Sequence, residues 1–199
     1  SEGGALWRLA YSAGRSTDHE GDLPKTIMTT NSPSNSPAIY ALTARGLKLA
    51  LRLRAALGGV CFAPEVLAGG VADVRGFASL PELVAAEFNN FRQHIFITAA
   101  GIAVRCIAPL IADKTVDPAV LVLDQRGAFV VSLLSGHLGG ANALAERVAA
   151  LVGGTAVITT ATDTEGLPAA DLLAAREGLR IGNPEAIRAV NAAFLAGER

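Results

Sequence analysis

The stretch that decides the fold class is Ala119-Val-Leu-Val-Leu-Asp-Gln-Arg-Gly-Ala-Phe-Val-Val-Ser-Leu-Leu134. Its two apolar runs, 119–123 and 128–134, have the length and the aliphatic, β-branched content of buried strands. The polar segment between them ends in Gly127, which can adopt the positive φ of a tight turn. The stretch therefore predicts two neighbouring antiparallel strands joined by a short hairpin loop.

Outside this hairpin, strands and amphipathic helices alternate along the chain. Further strands are predicted at Ala38–Leu42, Val60–Phe62, His94–Thr98 and Ala156–Thr159. Helices are predicted at Ala44–Leu57, 80–90, Gly101–Ala112, Gly139–Val152, Leu167–Glu177 and Pro184–Ala196, with Pro64–Gly76 as a connection. Pro109 is expected to kink or terminate the helix that contains it. Strands separated by crossover helices indicate a three-layer α/β fold, with a mainly parallel sheet flanked by helices and one antiparallel hairpin.

The chain divides into three expected regions. Residues 1–37 are rich in Gly, Ser, Thr, Asn and Pro, which predicts a flexible tail and linker. Residues 38–163 form the α/β domain, and residues 164–199 form a mainly helical region. Met28 is the single methionine, which motivates the hypothesis that it is the natural start.

The composition limits the kinds of function. The formal net charge of −1 provides no basic field to attract nucleic acid. No apolar run approaches the roughly 20 residues that cross a membrane. Cys61 and Cys106 lack C-x-x-C spacing and fit small buried side chains in a reducing compartment. We therefore expect a cytoplasmic protein that binds neither nucleic acid nor a membrane.

Ligands of open α/β sheets bind in the loops that follow the carboxyl ends of strands. The first such loop runs from Thr98 to Arg105 and leads into a helix. Gly101 would let a ligand approach the backbone, and Arg105 lies one turn into the helix. A tight turn with a surface arginine explains the same pattern, so both interpretations stay open.

The second loop, 132–142, has the densest glycine pattern. Its glycines lie between a strand and a helix, where backbone N–H groups and the helix dipole suit a carboxylate or phosphate. Neither a G-x-G-x-x-G nor a phosphate-loop lysine is present, so nucleotide binding is not indicated. The binding candidates of this loop are Ser135, Gly136, Gly139, Gly140 and Asn142.

His137 and Glu146 are the candidates for proton transfer. His137 stands among the glycines, and an imidazole titrates near neutrality. Glu146 follows Asn142 by four residues and so shares its helix face, from which a carboxylate could orient a water. The alternatives are that His137 only caps a carbonyl and that Glu146 is a solvated surface residue.

The third loop follows the last strand. The hydroxyls of Thr159, Thr160 and Thr162 and the carboxylate of Asp163 form either a hydrogen-bonding surface for a ligand or a self-satisfied turn. Lys114, at a helix exit, is a candidate partner for a substrate carboxylate. The histidines and cysteines have no metal-ligand spacing, so no metal site is predicted.

All three loops follow strands of one predicted sheet. We therefore expect their residues to converge on one cleft at the carboxyl edge of that sheet. The residues expected to meet there are Gly101, Gly136, Gly139, Gly140, Thr160 and Asp163.

Four segments resemble the signature blocks of a known family. They are Ala99–Arg105, Lys114–Val120, Leu133–Ala145 and Ile158–Asp163, in family order and with family-like spacing. On these segments the chain resembles the cobalamin-biosynthesis protein CbiG family, the cobalt-precorrin-5A hydrolases of the anaerobic pathway. The resemblance covers residues 38–163 as the N-terminal domain of the family, and residues 164–199 resemble the start of its middle region.

The resemblance implies opening of the ring-A lactone of cobalt-precorrin-5A, with release of acetaldehyde, to give cobalt-precorrin-5B. It implies that His137 transfers protons and that Arg105 and Lys114 match the substrate's carboxylates. Because the substrate carries the cobalt, no cofactor is expected. Family members continue into a further C-terminal domain, so a separately encoded C-terminal half is a possible partner. The alternative function is a non-catalytic tetrapyrrole-binding module or subunit of a split enzyme.

Overall fold

The computed structural model describes residues 32–166, 173–174 and 177–196, and these contain one seven-stranded sheet. The strands are β1 (Ala38–Ala41), β2 (Val60–Pro64), β3 (Val74–Phe77), β4 (Gln93–Ile97), β5 (Ala119–Leu123), β6 (Phe129–Leu134) and β7 (Thr155–Val157). The helices are α1 (Ala44–Leu57), α2 (Glu65–Ala68), α3 (Leu80–Glu87), α4 (Ala100–Ile107), α5 (Ala141–Val152), α6 (Ala161–Thr164) and α7 (Ile187–Leu195). A 3₁₀ turn at Pro184–Ala186 precedes α7, and most of the predicted helix Leu167–Glu177 lies outside the described residues.

The strand order across the sheet is β3-β2-β1-β4-β5-β6-β7. Strands β1 to β5 are parallel to their neighbours. Strand β6 is antiparallel to β5, and β7 is parallel to β6. The predicted fold class, a mainly parallel sheet with one antiparallel hairpin, is confirmed. It follows that β6 and β7 end at the sheet edge opposite to the edge where β1 to β5 end.

Helices cover both faces of the sheet and form two cores. Alternate residues of β1 point to opposite faces, so Ile39 packs with α1 and α5 whereas Tyr40 packs with α3 and α4. Leu53 of α1 and Phe88, directly after α3, are both almost fully buried. Burial on both faces explains why the central strands read as continuous apolar runs.

The prediction that Pro64–Gly76 is only a connection was wrong. This segment contains α2 and the start of β3, which pairs with β2 at the edge of the sheet. Within β3 only Phe77 is buried, while Arg75 and Gly76 are exposed. An edge strand with one buried side chain carries no apolar pattern, so its sequence gave no strand signal.

Helix α4 ends at Ile107, before the predicted limit at Ala112, in agreement with the prediction that Pro109 terminates it. Pro109 stands just beyond this end, where it cannot continue an α-helix. Of the predicted tail, residues 1–31 lie outside the described part of the chain. Ser34 pairs with Phe91 in an isolated parallel bridge, so the end of this segment is attached to the sheet. The division into three regions stays a prediction.

Candidate functional site

Three chain segments meet at the carboxyl edge of β6 and β7. Because these strands are adjacent and parallel, the loops 135–140 and 158–160 open side by side. Residues 108–118 reach the same edge, since they lead into β5, which is antiparallel to β6. A Cβ placed on Gly139 would lie 3.4 Å from the Asp117 carbonyl oxygen, which shows how closely these segments approach.

A cleft of about 510 Å³ lies between these segments and α7. Its lining includes Lys114, Ser135, Gly136, His137, Leu138 and Thr160. Helix α7 lines the same cleft through Arg188, Asn191 and Leu195 among others. The cleft therefore combines two cationic side chains, a histidine and apolar surface.

A chain of hydrogen bonds runs beside the cleft. The Nε2 atom of His137 lies 2.6 Å from Oδ2 of Asp163. The side-chain amide of Asn142 donates to the same oxygen at 2.9 Å and to Oγ1 of Thr160 at 3.0 Å. The Ser132 hydroxyl donates to the Asn142 amide oxygen at 2.6 Å. The structure thus joins residues from β6, the 135–140 loop, α5 and the segment 160–163 at the start of α6.

The His137 and Asp163 side chains are 13% and 31% exposed, so this pair lies at the boundary between protein and solvent. A carboxylate that accepts from one ring nitrogen orients the imidazole and stabilises its protonated form. Such an imidazole can accept a proton from water and return it to a leaving group. The pair therefore has the geometry that proton transfer requires.

The glycines of the 135–140 loop are explained by close packing at Gly136 and Gly139 and by the backbone conformation at Gly140. A Cβ on Gly136 would lie 2.7 Å from the Asn142 amide oxygen. A Cβ on Gly139 would overlap the Cβ of Ser135 and lie 2.8 Å from the Ser135 carbonyl oxygen. Gly140, with φ of +80°, adopts the left-handed conformation directly before α5. A side chain at any of these three positions would distort the loop.

The backbone donors predicted for a substrate anion are partly used within the loop itself. The Ala141 N–H donates to the Ser135 carbonyl at 3.1 Å, and the Asn142 N–H donates to the Gly136 carbonyl at 3.0 Å. The Gly140 N–H donates to the His137 carbonyl at 2.9 Å. For these three groups the prediction of donors aimed at a ligand was wrong, because the loop carbonyls cap the helix.

The expected convergence of all three loops is confirmed for two of them and wrong for the first. Gly101 follows β4, whose carboxyl end lies at the opposite edge of the sheet from that of β6. The Arg105 guanidinium folds back towards Gly101, within 3.6 Å of a Cβ placed there, so it belongs to that opposite edge. The reversal of direction at the β5–β6 hairpin is the physical reason.

Other residues that the sequence predicted for the site lie outside the cleft or beneath it. Glu146 is exposed on α5 and, among the described residues, makes no hydrogen bond or ion pair and does not line the cleft. Thr159 is exposed and does not line the cleft either, and the Thr162 side chain is outside the described part. Asn142 is only 7% exposed, so it supports the site from beneath.

Sequence reasoning missed several residues of the site, among them Arg188 and Ser132. Arg188 lies on a predicted helix, but nothing in the local sequence indicates that this helix closes the cleft. Ser132 belongs to β6, where its polar side chain interrupts an apolar run, and this was the one available signal. Within the described residues no three His, Cys, Asp or Glu side chains group to hold a metal ion, and no helix could span a membrane.

These observations define an α/β protein with a cleft at one edge of a mixed sheet. Residues 82–163 match the family described as Cobalamin synthesis G N-terminal, and residues 168–199 match Cobalamin biosynthesis central region. The chain belongs to the cobalamin synthesis G family and carries its N-terminal domain and part of its central region.

The chain spans about half, or less, of the length of the curated relatives described here. It is 43% identical over 175 residues to the cobalt-precorrin-5A hydrolase of Salmonella typhimurium, covering 86% of this chain and 49% of that protein. It is 40% identical over 120 residues to the cobalt-precorrin-5A hydrolase of Priestia megaterium, covering 60% of this chain and 32% of that protein. A crystal structure of a cobalamin biosynthesis protein G homologue from Sulfolobus solfataricus superimposes with a TM-score of 0.47 at 23% identity, over 81% of this chain and 46% of the other.

Proposed function

We propose that this chain supplies the catalytic cleft of a cobalt-precorrin-5A hydrolase in cobalamin biosynthesis. The observation that carries the proposal is the His137–Asp163 pair, with 2.6 Å between Nε2 and Oδ2, beside a cleft that also holds Lys114 and Arg188. The relatives named cobalt-precorrin-5A hydrolase, which share 43% and 40% identity with the chain, support the same assignment.

The proposed reaction consumes one water and releases acetaldehyde. His137 accepts a proton from a water that attacks the ring-A lactone carbonyl, and the acyl C–O bond then breaks to leave an acetate side chain and a secondary alcohol. Removal of the alcohol proton allows the bond between the alcohol carbon and the macrocycle to break. The carbon leaves as acetaldehyde, the electron pair stays on the macrocycle, and protonation gives cobalt-precorrin-5B.

The charges of the cleft support a substrate with several carboxylates. Lys114 and Arg188 both line the cleft and come from different segments, so they can bind two different acetate or propionate groups of one macrocycle. Leu138 and Leu195, which are 47% and 43% exposed, offer apolar surface to the ring between those groups. The proposal includes no cofactor, because the cobalt enters as part of the substrate.

The share of its relatives that the chain spans supports a role for further protein. The cleft, at about 510 Å³, lies within the roughly 300–1,000 Å³ range of clefts for small ligands, and the chain covers 49% and 32% of the two relatives named cobalt-precorrin-5A hydrolase. We therefore propose that one edge of the macrocycle enters the cleft, and that a C-terminal half, fused or separately encoded, covers the rest. Buried free thiols at Cys61 and Cys106 fit the proposed cytoplasmic location.

The test is anaerobic incubation of the chain with cobalt-precorrin-5A, followed by measurement of acetaldehyde and of the opened product. We expect His137→Ala to lower kcat by roughly 10² to 10⁴ with little change in substrate affinity. His94→Gln is the matched histidine control, because His94 lies in the core and away from the cleft. Wild-type turnover in His137→Ala would contradict the proposal. Acetaldehyde that appears only after a C-terminal half is added, and at the same rate with His137→Ala as with the wild type, would favour the alternative, a tetrapyrrole-binding subunit.

A further inference from the structure

The Asn142 side chain is the centre of the hydrogen-bond chain beside the cleft. It is 7% exposed, and both of its polar atoms are bonded. Its Oδ1 accepts from Ser132, and its Nδ2 donates to Thr160 and to Asp163. A buried amide that is satisfied on both sides is held in one orientation.

The direction of these hydrogen bonds follows from the chemistry of the groups. An ionised carboxylate only accepts, so the NH₂ end of Asn142 must face Asp163 and the amide oxygen must face Ser132. The Ser132 hydroxyl is then the donor at that end. The same argument places the proton of neutral His137 on Nε2, the ring nitrogen 2.6 Å from Asp163. Nδ1 is then the basic nitrogen of the neutral ring.

We propose that Asn142, held by Ser132, is a positioning residue that fixes Asp163 and, through it, the orientation and tautomer of His137. Asp163 belongs to α6, a helix of only four residues, and its side chain is 31% exposed. The donor from Asn142 is what ties this carboxylate to the buried part of the structure. This inference rests on the proposed function, in which His137 transfers a proton.

Gly136 supports the inference independently. A Cβ at this position would lie 2.7 Å from Oδ1 and 3.1 Å from Nδ2 of Asn142, so the amide occupies the space that any other side chain would need. The Asn142 N–H also donates to the Gly136 carbonyl at 3.0 Å. The loop that carries His137 is therefore shaped around the Asn142 amide.

A purely structural role for Asn142 would change stability and leave the tautomer of His137 unaltered. The tautomer is measured on the chain labelled with ¹⁵N-histidine, at about pH 8.5, where an ordinary imidazole is neutral. The signals of His137 are identified by their loss in His137→Gln. We expect the wild-type ring to carry its proton on Nε2, and Asn142→Asp and Ser132→Ala to raise the Nδ1–H form severalfold.

Two controls separate positioning from general loss of stability. Ser132→Thr keeps the hydroxyl and should keep the wild-type tautomer ratio. Thr43→Ala removes a helix cap at the opposite edge of the sheet, where Oγ1 accepts from the Gly46 N–H at 3.0 Å, and should also leave the ratio unchanged. A wild-type ring protonated on Nδ1, or an unchanged ratio in both Asn142→Asp and Ser132→Ala, would overturn the inference.

The kinetic consequence is measured with cobalt-precorrin-5A and whichever C-terminal half turnover requires. Misplacing a catalytic group by about 1 Å can cost roughly 10² in rate, so Asn142→Asp and Ser132→Ala should lower kcat tenfold to a hundredfold, with KM changed less than about threefold. Ser132→Thr should restore kcat. If the wild-type protein opens no lactone, the proposed function fails, whereas the tautomer measurement still decides whether Asn142 positions His137.

Discussion

Acidification should destabilise this protein through a histidine that is remote from the cleft. His94 is fully buried in the core formed by α3, α4 and the sheet, and burial lowers its pKa to about 4. Its Nε2 donates to the Phe88 carbonyl at 3.1 Å, and its Nδ1 accepts from the Tyr40 hydroxyl at 3.0 Å. The bond from Tyr40 requires the neutral ring, because a protonated Nδ1 cannot accept, whereas Nε2 can donate to the Phe88 carbonyl in either protonation state.

The magnitude follows from the difference between the folded and unfolded pKa of His94. The unfolded chain takes up a proton near pH 6.5, whereas the folded protein resists protonation until about pH 4. Stability contributed by the neutral ring is complete above pH 6.5 and is lost as the pH falls towards 4. At about 1.4 kcal/mol per pKa unit, the free energy of unfolding should fall by about 2 kcal/mol at pH 5 and about 3 kcal/mol at pH 4.

The assay is urea unfolding of the wild type and His94→Gln between about pH 8 and pH 4.5. Glutamine can donate to the Phe88 carbonyl and accept from Tyr40, but it does not titrate in this range. The difference in unfolding free energy between the two proteins should therefore shrink as the pH falls, by about 2 kcal/mol at pH 5. A difference that stays constant over this range would refute the argument that His94 is held neutral by burial.

Three further outcomes follow from the placement of residues around the cleft. Lys114→Gln and Arg188→Gln should each raise KM about tenfold or more, because a hydrogen bond to a charged group contributes roughly 1.5–3 kcal/mol. The control Arg147→Gln, on the exposed face of α5, should not change KM. Equal KM values in all three variants would contradict carboxylate binding in the cleft. Gly139→Ala should lower the free energy of unfolding by about 1–3 kcal/mol through overlap with the loop backbone, and a change below about 0.5 kcal/mol would show that the loop adapts. Glu146→Gln should retain wild-type kcat, because its side chain lies outside the cleft, and a tenfold fall would restore Glu146 as a catalytic candidate.

The parts of the fold predicted from the sequence are those that bury an apolar pattern. Helix α1 begins and ends at the predicted residues, since Thr43 caps its first turn and Gly58, with φ of +74°, follows its last residue. Strand β3 was missed because the hydrogen bonds to β2 define it, and backbone pairing leaves no trace in side-chain periodicity. Apolar patterns in a sequence indicate which side chains are buried, whereas backbone pairing of an edge strand depends on the neighbouring strand.

The candidate site was predicted in part for a similar reason. Local motifs identified the loop around His137 and the segment that ends in Asp163, and the structure places these two side chains in contact. The sequence could not show that Arg188 lines the same cleft as His137, because these two residues are 51 positions apart along the chain. It also suggested that Asn142 binds the ligand, whereas burial assigns its amide to the support of Asp163.

The position of Gly101 away from the cleft follows from the sequence, because the hairpin that defines the fold also determines which loops share an edge of the sheet. Only five residues, 124–128, separate β5 from β6, and a parallel crossover needs a dozen or more. Asp124 closes this turn by accepting from the Arg126 and Phe129 N–H groups, both at 2.8 Å. Strand β6 must therefore be antiparallel to β5. The loop that follows β6 must open at the sheet edge where β5 begins. The same reversal of strand direction places Lys114, five residues before β5, in the cleft that His137 lines. Gly101 therefore lies at the opposite edge of the sheet.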